Sequence, residues 1–300
     1  MNDILELRGV FEQKKNTSQP NAKRLQKETT VSTKDFDRLI NNLHTVLDYF
    51  SHVKEIKNVL LSVNYKRVLA KSNRVSELFK KGDKLPNDAI VGAKFNILNG
   101  RKAHTITYYL EREQIIDAID KLKSVKLALS ELFDGSINDV FINITKDKVD
   151  NLDNFNFKRY SISKSMFRNV IVDVSFIDSF EVIEEDFGLE GNLVITIFET
   201  ELKIKDLLKN YNIDVYNNRI LDNTSALLYP DEIRLLKEKV PYLIAMETTD
   251  LSKLDFENFK EVTNDSLMTI QKPKNEPIIG VIDTHFNNEV YFSEWVTYEN

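Results

Sequence analysis

The chain has 300 residues, 42% hydrophobic and 29% charged, the balance of a globular protein long enough for two ordinary domains with sizeable cores. Forty-one basic residues against 47 acidic ones give a net charge of −6, with no Arg-rich tract, which speaks against a nucleic-acid partner. Zero cysteines exclude disulfides, thiolate zinc sites and cysteine nucleophiles together.

No run approaches eighteen consecutive apolar residues, so no membrane-spanning helix is expected. Asp3 and Glu6 put charge where a secretory signal needs an apolar core, so the chain is expected in the cytoplasm. In chain order, Asp3–Leu7 reads as a short strand and Gln13–Thr30 as a polar linker. Phe36, Leu39, Ile40, Leu43, Val46, Leu47 and Phe50 then recur at three- and four-residue spacing, predicting a helix whose start is marked by Ser32 and Asp35. His44 and His52 on or beside it are read as surface side chains, not metal ligands.

Val59–Tyr65 and Arg67–Lys71 read as extended, Arg74–Lys81 as a short helix and Ala89–Ile97 as a strand. Ala103–Leu110 alternates, with His104, Ile106, Tyr108 and Leu110 on one face. A long amphipathic helix over Arg112–Phe133 follows, and Val140, Ile142 and Ile144 predict a closing strand. This β-α-β-β-α-β order suggests an α+β sandwich of the ferredoxin-like type over residues 31–155.

A second α+β domain is expected over residues 160–250. Val170, Val172, Val174 and Phe176 alternate as a long strand, and the Glu184-Glu185-Asp186 run reads as a solvated loop, not a hard-metal site. Leu193–Glu199 is a strand and Leu202–Tyr211 a helix, while Val215–Tyr229 is extended around a turn near Asp222-Asn223. Pro230 opens a helix with Asp231 and Glu232 at its positive end, and Tyr242–Glu247 returns as a strand. Residues 251–277 are polar and proline-punctuated, a linker. The apolar run Ile278–Ile282 then predicts the first strand of a third, truncated domain over residues 278–300.

Pro277-Ile278-Ile279-Gly280-Val281-Ile282-Asp283-Thr284 resembles the aspartate motif of subtilisin-like serine proteases, the S8 peptidases. Tyr291-Phe292-Ser293-Glu294-Trp295-Val296 looks like a bacterial subset of them with long N-terminal regions, and Asn192–Thr249 is similar in element order to their propeptide domains. The resemblance implies tandem ferredoxin-like, propeptide-like domains followed by the first catalytic strand. It makes Asp283 the triad carboxylate that orients a histidine. It also implies a companion AAA-type ATPase and a peptide or protein substrate; with no Gly-rich phosphate loop, Walker motif or His-Glu-x-x-His in the chain, no cofactor or metal is expected. The His-Gly-Thr and Gly-Thr-Ser motifs of that family do not occur, so the chain alone is expected to be inactive. Asn223-Thr224-Ser225 only echoes the serine motif, and His285, where the family carries glycine, reads as a rim residue. The alternative is a stand-alone interaction or protease-inhibitor module.

Overall fold

A computed structural model describes residues 24–69, 75, 77–80, 86–98, 100–144, 150–183, 188 and 191–249. The chain divides into two compact units, Met1–Asp250 and Leu251–Asn300, and every described residue falls in the first. The strand expected over Asp3–Leu7, the linker 251–277 and the segment 278–300 lie outside the described residues.

Strand β1 (Thr30–Ser32) leads directly into helix α1 (Thr33–Ser51). The helix starts there because the Asp35 carboxylate accepts from the Ser32 backbone N–H at 2.9 Å. Its stripe of Phe36, Leu39, Leu43, Val46 and Phe50 is fully buried, as its spacing predicts. Helix α2 (Arg112–Leu132) buries Ile115, Ile119, Leu122, Val125 and Leu129 and packs beside α1.

The main sheet holds β2 (Val59–Tyr65), β3 (Ile90–Leu98), β4 (Arg101–Leu110) and β6 (Ile177–Glu181) in the order β3-β4-β2-β6, antiparallel throughout. Register places Val59, Leu61 and Val63 beside Leu110, Tyr108 and Ile106, forming the core face on which α1 packs. The opposite face is hydroxyl- and amide-rich. Asn96 donates to Thr105 at 3.2 Å, Thr105 to Asn64 at 2.5 Å, and Asn64 to Ser179 at 3.0 Å, a hydrogen-bonded row crossing four strands.

The fourth strand of this sheet differs from the one expected. Val140 and Ile142 belong to a single helical turn, α3 (Asp139–Ile142), just after the short strand β5 (Ser136–Asn138) that pairs with β1. Asn138 caps that turn by accepting from the Phe141 N–H, a local side-chain bond that competes with extension. Val170 to Phe176, expected to be a strand, lie in helix α4 (Lys164–Phe176). Ser163 caps it, accepting from the Met166 N–H at 3.1 Å, and Phe167, Val170, Ile171 and Val174 make a helical stripe. Val172 and Phe176 are buried as well, and a helix buried nearly all round carries an apolar run that alternation cannot tell from a strand. The described residues of Arg74–Lys81 form bends and turns instead of a helix, and Arg67–Leu69 are not in a strand.

β6 therefore completes the first sheet, and residues 150–183 pack with the layers before them. A second sheet follows, with β7 (Leu193–Ile197), β8 (Ser225–Leu228) and β9 (Ile244–Thr249) in the antiparallel order β8-β7-β9. An isolated bridge from Ile220 to Ala226 adds a rudimentary strand outside β8. Helices α5 (Ile204–Asn210) and α6 (Pro230–Lys239) lie in its connections, with Pro230 in the first turn of α6. Arg219 clamps this module: its guanidinium makes two bonds to Glu232, at 2.7 and 2.9 Å, and stacks over Tyr229 at 4.2 Å.

Counted in chain order, the first sheet reads second-third-first-fourth across its width. The second, with its Ile220 bridge, reads the same. The residue sequences show no such repeat.

Candidate functional site

Asp283 and His285 lie outside the described residues, as do Glu184, Glu185 and Asp186. His44 on α1 and His52 at its C-terminal end are both exposed. Among the described residues no group of histidines and carboxylates could hold a metal ion. No helix there is long and apolar enough to cross a membrane. Ser225 is not a nucleophile in waiting: its hydroxyl meets that of Thr196 at 3.0 Å, and its N–H caps the Asp222 carboxylate at 2.7 Å.

The densest polar constellation lies where the two sheets' modules meet. Glu55, after α1, accepts from the hydroxyls of Tyr211 and, at 2.9 Å, Tyr242 in the second module. Glu201 of the second module accepts in return from the Tyr109 hydroxyl and, at 2.9 Å, from the Lys57 N–H. Each module thus gives one carboxylate to the other's phenols. Burial pushes both carboxyls up, but the phenol hydrogen bonds together with backbone N–H donors outweigh it and hold Glu55 and Glu201 below the ordinary range. Burial and the same bonds raise the three tyrosines. Tyr49, Phe50 and Tyr242 pack edge to face around the junction.

Chemically the junction is a fastener. Its carboxylates are engaged by phenols, and it lacks a nucleophile aimed at a cavity. Glu55→Gln, which removes the charge but keeps one acceptor, is expected to cost about 1–2 kcal/mol in chemical denaturation; an unchanged midpoint would refute the role.

Beside the junction, an open depression of about 430 Å³ is lined by Val91, Thr196, Phe198, Glu199, Asn223 and Thr224. Phe198, only 6% exposed, inserts from the second module against Gly92 of β3, where an added Cβ would stand 2.6 Å from its ring. Gly92 is needed there for close approach.

A second buried ionic group ties α4 to the segment before it. Arg168 donates through Nε to the Ile142 carbonyl at 3.0 Å and pairs with Asp150. Lys164 meets the same carboxylate at 2.9 Å. Burial raises the Asp150 carboxyl, but bonds from Arg168, Lys164 and the Leu152 N–H overcome this and lower its pKa to about 2.

No spacing rule pointed to Glu55, Glu201 or Arg168. The usable signal was compositional: tyrosines at Tyr109, Tyr211 and Tyr242 stand at the ends of predicted elements, where a phenol can reach across a junction. Comparison with protein-family models, with characterised proteins and with solved structures finds no match to this chain.

Proposed function

We propose that this chain is the N-terminal, propeptide-like regulatory part of a subtilisin-like serine endopeptidase acting in the cytoplasm. The observation that supports this reading is the shared strand order of the two sheets, each antiparallel and each with a helical connection before its last strand. That strand order fits a pair of ferredoxin-like sandwiches, the architecture implied by the resemblance around Asp283, although the first sheet's opening crossover holds no α-helix among its described residues. Fold alone does not carry function, so the reading also draws on the Pro277–Thr284 motif.

In this reading, residues 24–249 bind and do no chemistry. Asp283 would accept a hydrogen bond from the histidine of a catalytic domain, hold its tautomer and stabilise the imidazolium formed as the serine is acylated. An AAA-type ATPase would be the companion that regulates or feeds the protease.

The test is inhibition. The purified chain, added at about 1 μM to a cognate subtilisin-like catalytic domain, is expected to slow hydrolysis of a fluorogenic peptide and to co-elute with the domain. Absence of both inhibition and binding would remove the propeptide assignment.

A further inference from the structure

β3 is the outer strand of its sheet, and among the described residues no strand pairs with its far side. Natural edges are usually protected by charge, proline or short length. This one is nine residues long and carries Phe95 at 75% exposure and Ile97 at 78%. Its backbone polarity follows from the hairpin register. Leu98 pairs with Arg101, leaving a two-residue loop in which Gly100 takes φ +74. In such a hairpin the residues flanking the loop form a hydrogen-bonded pair, and hydrogen-bonded pairs then alternate. Leu98, Asn96 and Lys94 therefore turn their N–H and C=O groups toward β4. Ile97, Phe95 and Ala93 turn theirs outward.

We propose that β3 is a homodimerisation edge: two copies of this chain join β3 to β3 in antiparallel fashion, with Phe95 on the two-fold axis. The occupant is a second copy because the strand is complementary to itself in this register. Phe95 faces Phe95, small Ala93 faces Ile97, and Lys94 faces Asn96, so no lysine meets its own mate. Three residue pairs exchange backbone hydrogen bonds, and the two four-stranded sheets become one.

The absence of cysteine makes the test direct. In the full chain, Phe95→Cys puts a thiol on the axis, where hydrogen-bonded strand residues stand about 5.5 Å apart, within disulfide reach. Ile97→Cys mates lie about 13 Å apart along the strands, too far to bridge. Mild oxidation is expected to cross-link Phe95→Cys about tenfold faster than Ile97→Cys. As a second arm, Ala93→Pro removes one outward N–H and leaves the β3–β4 bonds intact. It is expected to halve the sedimenting mass of the parent at equal concentration, with an unchanged circular dichroism spectrum. Equal cross-linking of the two cysteine variants, no cross-linking of Phe95→Cys, a monomeric parent, or a dimer that survives Ala93→Pro would each overturn the proposal.

Discussion

Arg168→Ala is expected to lower the unfolding free energy by about 3–5 kcal/mol, the usual consequence of removing one partner from a buried ion pair. The substitution leaves the Asp150 carboxylate, whose side chain is 12% exposed, with one lysine, and strips the Ile142 carbonyl of its Arg168 donor. Asp150→Asn should cost less, because the amide still accepts from the guanidinium and from the Leu152 N–H. The pair is also sensitive to pH, and the sign is fixed. Folding lowers the Asp150 pKa from its ordinary 3.8 to about 2. Its contribution is therefore complete above the unfolded value and is lost as pH falls through the folded one. A gap of that size is worth about 2 kcal/mol. Denaturant unfolding of the parent at several pH values between about 5 and 2 should show this loss, and Asp150→Asn should lack it. Equal pH slopes would show that Asp150 is not the group responsible.

The second large effect is expected at the meeting of the two modules. Phe198→Ala empties the space over Gly92 and should cost about 3–5 kcal/mol, as buried phenylalanine truncations do. Gly92→Ala should cost about 1–3 kcal/mol for the opposite reason, since its Cβ would crowd the Phe198 ring. The decisive measurement is the double variant. With Phe198 truncated, the added methyl at residue 92 has room, so the Gly92→Ala cost should largely vanish in that background. Strict additivity of the two costs would mean that the ring and the glycine do not share the space the structure gives them.

The parts of the fold readable from sequence are those whose burial is one-sided. α1 and α2 each keep a polar face, so their three- and four-residue spacing stands out, and α6 is announced by Pro230 with two acids behind it. α4 was not readable, because Val170, Val172, Val174 and Phe176 fit a strand as well as the buried helix they occupy. Periodicity reports the boundary between core and water, and α4 hardly has one. The β2–β6 pair was hidden for another reason. It joins residues more than a hundred apart, and pairing partners leave no local trace. The junction carboxylates were equally silent, since Glu55 and Glu201 gain meaning only when two separated chain segments bring phenols to them.

That β2–β6 pairing also sets an order of events during synthesis. β7, β8 and β9 lie within Leu193–Thr249, so every pairing the second sheet needs is contained in this short stretch. β2 must wait for its last neighbour: Ser62 meets Glu181 only after α2, α3 and α4 have been made. Until then one side of β2 is an unsatisfied hydrogen-bonding edge on a growing chain, the state in which wrong pairings are made. The later-made module thus has the shorter route home, and the earlier one carries the greater burden of nonlocal contacts.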